Sequence, residues 1–258
     1  MGRMRLSSFS RWQAAATHLA LSALIASAVF SLIFLLWFPD GLFQAAGGRK
    51  LFFLISGVDV TLGPLLTLIV FDPRKKELKF DLAVIGAMQL AALCYGAWVL
   101  FEARPAFITY VQDRFELVRA NDIAPENYAK ARDARFGHAP YTGPMVAGTT
   151  LPKDPAEQLQ LGTSVMKGGP DVQGLPRYYV PYAQVRDQAL AHGRPIARLR
   201  ELNPGRDAQI DGLLAKLGRQ PREVLFLPMR AGRVDLAVLI DAHDGRVLGI
   251  APLRPWKY

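Results

Sequence analysis

The stretch that decides the fold is AAATHLALSALIASAVFSLIFLLWF, Ala14–Phe38, which contains no charged side chain. About 20 apolar residues cross a bilayer as a helix, so this stretch can span one with some tilt. A helix also satisfies the backbone hydrogen bonds internally, which lipid requires. The alternative is a cleaved signal peptide, but the apolar core of a signal peptide runs to only about 7–15 residues.

Two further stretches share this character. Leu51–Phe71 carries one charge, Asp59, and Leu82–Phe101 carries none. We therefore predict a transmembrane domain, residues 1–101, with three membrane-spanning helices at about 14–38, 51–71 and 82–101.

Composition changes sharply after residue 101. Hydrophobic residues make up 62 of the first 101 positions but only 69 of the remaining 157. The second part has ordinary globular composition and is long enough to bury a core of its own. Residues 102–258 are therefore predicted to form a separate domain outside the membrane.

The charges that flank the spans predict the orientation. Three arginines precede the first span, and the connector after the second span carries four cations: Arg74, Lys75, Lys76 and Lys79. The loop between the first two spans carries only Arg49 and Lys50. Because Lys and Arg favour the cytoplasmic side, we predict a cytoplasmic N-terminus and delivery of residues 102–258 to the opposite side.

Asp59 is the least expected residue in the membrane part. A carboxylate at that depth costs roughly 2.5–3.5 kcal/mol, and Gly63 and Pro64 follow it closely. One interpretation is a notch that receives another membrane helix, or a proton site. The other is a helix kink, with Asp59 protonated or bonded to Gln89 or another helix. His18, in the first span, is interpreted as an ordinary residue near the interface.

The outer part is predicted to be an α+β domain with a mainly antiparallel sheet. The expected order is a hairpin (106–112 and 115–119), a helix (125–136), a possible edge strand (145–147), helices (154–166, 182–192 and 205–218), and a meander (223–228, 234–241 and 247–251). A Pro/Tyr segment, Leu175–Tyr182, offers Tyr178, Tyr179 and Tyr182 either as a recognition surface or as buried rings that fix irregular backbone.

The sequence contains no phosphate-loop, dinucleotide, nucleophile-elbow or HExxH motif. Its single cysteine, Cys94, cannot form an intramolecular disulfide, and no Cys/His set has zinc spacing. The outer domain has 22 basic and 17 acidic residues, which favours anionic lipid or an acidic partner over nucleic acid. We therefore expect no catalytic residues, no cofactor and no metal.

Two runs carry a family resemblance: SGVDVTLGPLLT at Ser56–Thr67 and FDPRKKEL at Phe71–Leu78. Together with Arg104-Pro105 and the closing Arg254-Pro255-Trp256, they resemble the TfpX/TfpZ family of type IV pilin accessory proteins. The resemblance implies a non-enzymatic protein of a Gram-negative inner membrane, with a periplasmic C-terminal domain, that helps a cognate pilin to assemble or to be displayed.

A mechanism follows as a hypothesis. The notch of Asp59, Gly63 and Pro64, with Gln89, would receive the pilin's membrane helix, while the Pro/Tyr segment or a sheet edge meets its globular head. Two other classes stay open. A membrane-tethered periplasmic sensor predicts a well-formed outer pocket, and a membrane enzyme predicts a convergent polar cluster. The oligomeric state is left open.

Overall fold

A computed structural model describes residues 10–39, 41–45 and 57–257, and it divides the chain into two compact units. The first unit comprises Met1–Leu35 and Gly48–Phe101. The second comprises Leu36–Gly47 and Glu102–Tyr258, so a short segment that follows the first helix belongs to it.

Two helices are long and apolar enough to cross a membrane: α1, Arg11–Trp37, and α4, Leu78–Glu102. A short helix, α2, covers Leu42–Ala45. Between α2 and α4 the described residues form a π-helical turn, Val58–Leu62, that leads into α3, Gly63–Val70. Of the second predicted span, residues 51–56 therefore lie outside the described residues.

The π-helical turn has a local cause in the sequence. Pro64 lies at the start of α3 and has no N–H to donate to the preceding turn. The backbone widens by one residue just ahead of it, as single π-helical turns do inside α-helices. The side-chain hydroxyl of Thr61 donates to the Gly57 carbonyl within the widened turn.

The second unit is built on a mixed sheet, which the described residues form with eight strands. Its main path runs β4-β3-β1-β2-β6-β7-β8, with β5 paired to β6 beside that path. The strands are β1 Pro105–Val111, β2 Arg114–Arg119, β3 Met145–Thr149, β4 Tyr179–Pro181, β5 Arg194–Pro195, β6 Val224–Arg230, β7 Leu236–Asp241 and β8 Val247–Ala251.

Most neighbouring strands are antiparallel, as predicted, but β1 pairs with β3 and β2 pairs with β6 in parallel. These parallel pairs make the sheet mixed. They also place β3 inside the sheet, so the predicted edge position of residues 145–147 is wrong. Parallel pairing joins segments distant in sequence, and no local turn signal announces it.

The helices of the second unit are α5 Pro125–Tyr128, α6 Pro155–Met166, α7 Arg186–His192, α8 Ile196–Leu202 and α9 Asp207–Leu217. The predicted helix over 125–136 is wrong beyond Tyr128. There the chain turns, and Asp133 begins a separate 3₁₀ turn, Ala134–Phe136, by accepting from the Arg135 backbone N–H. Helix α8 was not predicted.

Strands β6 and β7 are covered on both faces. Phe226 and Leu239 pack with the α8–α9 helices, whereas Met229 and Val238 face a second cluster that contains Leu42. This alternation follows from the two-residue period of a strand. Leu42 is fully buried, so the chain just after α1 supplies part of the core.

Other contacts hold the end of α1 in the same unit. The indole Nε1 of Trp37 donates to the Tyr141 carbonyl at 3.0 Å, and the rings of Phe38 and Phe43 pack edge to face at 5.4 Å. The described residues from Trp37 to Phe43 are therefore a packed part of the second unit rather than a loose connection.

Leu42→Ala is expected to destabilise the second unit by about 2–5 kcal/mol, because it leaves a cavity in a closed core. Thermal unfolding of the full chain in detergent would measure the loss. Leu151→Ala is the matched control, since the Leu151 side chain is half exposed. Equal stability of the two variants would contradict the packing described for Leu42.

Candidate functional site

Three helices of the first unit meet at a polar cluster formed by His18, Thr67 and Gln89. The His18 Nδ1 atom lies 2.6 Å from the Thr67 hydroxyl, and Nε2 lies 2.6 Å from the Gln89 side-chain oxygen. Thr67 is almost completely buried. His18 therefore bridges α1 to both α3 and α4.

Both ring nitrogens of His18 have hydrogen-bond partners. The Gln89 side-chain oxygen can only accept, so Nε2 carries a hydrogen and donates to it. The Thr67 hydroxyl, the partner of Nδ1, can either donate or accept. This pairing matters because an unpaired polar group is costly in an apolar setting.

Gly63 completes this cluster. It is buried, and a Cβ atom at this position would overlap the side-chain amide of Gln89. Pro64, beside it, is also buried. The structure therefore brings together Gly63, Pro64 and Gln89, three of the four residues predicted to form the membrane notch.

Asp59, the fourth, lies in the π-helical turn, and its side chain is outside the described part of the chain. His18 was judged ordinary from its position near the end of a span. Placing a histidine within an apolar helix costs free energy unless the ring finds polar partners. That cost was the sequence signal that could have identified His18 as a bridging residue.

The basic connector lies between α3 and α4. Its four predicted topology determinants, Arg74, Lys75, Lys76 and Lys79, are all exposed. The Lys75 ammonium lies 2.5 Å from the Asp81 carboxylate, and this hydrogen bond raises the pKa of Lys75. Exposed cations are available to anionic lipid headgroups.

The three tyrosines of the Pro/Tyr segment are buried in the second unit. The Tyr178 hydroxyl donates to Glu157 at 2.8 Å, Tyr182 donates to the Gly245 carbonyl at 2.7 Å, and Tyr179 donates to the Gln173 carbonyl. Burial raises the pKa of each of these hydroxyls. Of the two interpretations left open by the sequence, this placement favours rings that fix irregular backbone.

A polar cleft of about 520 Å³ opens on the second unit where β6 ends beside β2. Its charged lining consists of Glu116, Asp122, Asp171, Arg230 and Asp235. Burial raises the pKa of Glu116, although its ion pair with Arg114 at 2.7 Å opposes the shift. Among the described residues, no group of three or more His, Cys, Asp or Glu side chains could hold a metal ion.

Comparison with known proteins gives a consistent family. A family model described as fimbrial assembly protein FimB matches residues 7–47. Two fimbrial assembly proteins of Dichelobacter nodosus, from serogroups E1 and I, are each 31% identical over 230 residues, which cover 88% of this chain and 89% of the relative. A third, from serogroups C1 and C2, is 38% identical over 116 residues, or 44% of this chain and 88% of the relative. No solved structure matches the chain.

The polar cluster predicts an energetic coupling between His18 and Gln89. His18→Ala and Gln89→Ala should each lower thermal stability in detergent, and the double variant should lose less than the two losses added together. The expected coupling is about 0.5–2 kcal/mol, the size of interhelical hydrogen bonds in membranes.

Thr17→Ala is the matched control for this measurement. Among the described residues, the Thr17 hydroxyl donates only to the Gln13 carbonyl of its own helix, at 2.8 Å, so its loss should cost little. Strictly additive effects of His18→Ala and Gln89→Ala would contradict the bridge.

Proposed function

Because this chain belongs to the family of fimbrial assembly proteins, we propose that it is a non-enzymatic membrane protein that assists assembly or surface display of a cognate type IV pilin. The observation that carries the proposal is the 230-residue match to fimbrial assembly proteins, which is long enough to include residues of both units. The resemblance of Ser56–Thr67 and Phe71–Leu78 to TfpX/TfpZ accessory proteins supports assistance of a pilin as the more specific role.

A three-span topology is part of the proposal, and the connectivity supports it. Trp37, at the end of α1, and Glu102, at the end of α4, both belong to the second unit. If α1 and α4 both cross the membrane, their carboxyl ends must emerge on the same side. The chain between them must then return across the bilayer, and the span predicted over 51–71 supplies this passage.

The orientation follows from charge. The exposed cations of the connector belong on the cytoplasmic side by the positive-inside rule. The second unit then lies in the periplasm of a Gram-negative cell, beside the inner membrane. In this place the protein can contact both the membrane helix and the globular head of a pilin before assembly.

The polar cluster suggests how the membrane contact is organised. Gly63, Pro64 and Gln89 are buried or partly buried. They therefore support the notch by packing beneath it and do not form the surface that a partner would contact. Thr61 of the adjoining π-helical turn and Gly57, just before that turn, are exposed. We propose that the pilin helix docks against this turn, near Asp59, and that the second unit meets the pilin head.

A second candidate role, periplasmic ligand binding, is favoured by one observation, the cleft of about 520 Å³. Pockets of this volume hold small molecules in many proteins. For this role Arg230→Ala, at the cleft, should abolish complementation of the deletion strain. Substitutions in the membrane cluster of His18, Thr67 and Gln89 should leave complementation nearly unchanged.

Deletion of the gene tests the proposed function. Surface pili should fall severalfold while pilin transcript is unchanged, because the step affected is assembly. Expression of the intact chain should restore the pili. Unchanged surface pili after deletion would contradict the assembly role, and a changed pilin transcript would favour a sensor.

Complementation with glycine variants tests the notch. Gly63→Ala should reduce surface pili at normal protein level, because the added methyl group displaces the Gln89 amide. Gly86→Ala, in α4, is the matched control, since a Cβ there meets no atom within 4 Å and the residue lies outside the proposed docking turn. Full complementation by Gly63→Ala would show that the notch is not needed.

A further inference from the structure

Helix α6 of the second unit carries apolar residues on two opposite faces. Its inner face packs Leu161 against Val172 and Tyr178, and Glu157 accepts from the Tyr178 hydroxyl. Its outer face presents Leu159 and Met166, which are 73% and 90% exposed. They lie seven residues apart, so two helical turns place them on the same side.

Small residues fill the rest of the outer face. Ala156, Gly162 and Thr163 are exposed there, and a Cβ atom at Gly162 would meet no atom within 4 Å. The outer face therefore has no acidic or basic side chain along its length, and nothing in the described part of the chain covers it. A helix of this length extends about 18 Å.

Two lysines frame this face. Lys153 precedes the helix and Lys167 follows it, and both are exposed. The nearby carboxylates are engaged elsewhere, because Asp154 caps the helix at the Ala156 N–H and Glu157 bonds Tyr178. Within the described residues neither lysine is in an ion pair.

We propose that the outer face of α6 docks on the surface of an anionic lipid bilayer. Leu159 and Met166 insert among the acyl chains near the headgroups, and Lys153 and Lys167 contact anionic headgroups. Apolar side chains bordered by lysines are the pattern by which a helix lies in a membrane interface. Lysine stems can also bury their methylene groups while the ammonium stays at the headgroup level.

The proposal rests on the topology given under the proposed function. The second unit begins at the end of α1, and only two residues separate Glu102 of α4 from Pro105 of β1. Two short attachments tie the unit to membrane helices. Because α6 packs against Val111, at the end of β1 opposite Pro105, the proposed contact requires the strands to run along the bilayer surface. A lipid surface is also favoured over a protein partner, because a single helix side two turns long is small for a stable protein interface.

Fluorescent labelling of the full chain tests the proposal directly. Single cysteines replace Leu159, Met166 or Lys216 in a Cys94→Ala background, and each carries a polarity-sensitive fluorophore. Lys216 is the control because it is exposed on α9, away from the proposed face. The proteins are reconstituted in phosphatidylcholine nanodiscs with or without phosphatidylglycerol, and doxyl-labelled lipid serves as the quencher.

The fluorophores at positions 159 and 166 should emit at shorter wavelength and be quenched severalfold more than the one at 216. Quenching should increase with phosphatidylglycerol, and Lys153→Gln with Lys167→Gln should remove that increase. Water-like emission without quenching at 159 and 166 would overturn the proposal. Shielding without quenching by doxyl-labelled lipid, or shielding only after pilin is added, would also overturn it, in favour of a second copy or the pilin head.

These outcomes are independent of the pilus assay. If deletion abolishes surface pili while the fluorophores stay in water, only the lipid contact is wrong. If the fluorophores enter lipid and deletion leaves pili unchanged, the lipid contact stands and the assembly role falls.

Discussion

The structure depends on one constraint of connectivity: both membrane-length helices lead into the same folded unit. Leu42 is fully buried in the core of that unit, and Trp37 donates to the Tyr141 carbonyl, so the end of α1 is part of the outer fold. The end of α4 opens the same unit three residues before β1. The three-span topology that we propose follows from this connectivity: if both helices cross the membrane, they cross it in the same direction, and the chain between them returns across the bilayer.

Composition and local signals predicted much of this molecule, since they report on neighbouring residues. Uncharged apolar stretches located α1 and α4 to within a few residues, and the predicted meander located β7 and β8 to within two residues. The features that the sequence did not predict depend on contacts between residues distant in the chain. Nothing local shows that β3 pairs in parallel with β1 inside the sheet, or that Leu42 reaches the core.

The candidate site was predicted in part for the same reason. Glycine, proline and glutamine inside apolar stretches drew attention to Gly63, Pro64 and Gln89, and the structure gathers them in one place. The bridging residue, His18, lies 49 and 71 positions from its two partners, which no spacing pattern connects. The dense Pro/Tyr segment was noticed from its composition alone. In the structure its three tyrosines are buried, and their hydroxyls hold the irregular backbone around them.

Cysteine accessibility in intact cells tests the topology most directly. Single cysteines at Pro39, Lys76 and Asp244, in a chain lacking Cys94, are treated with a thiol reagent that crosses the outer membrane but not the inner membrane. The account predicts labelling at 39 and 244, and labelling at 76 only after the inner membrane is opened. Labelling of 76 from the outside, or opposite behaviour of 39 and 244, would contradict it.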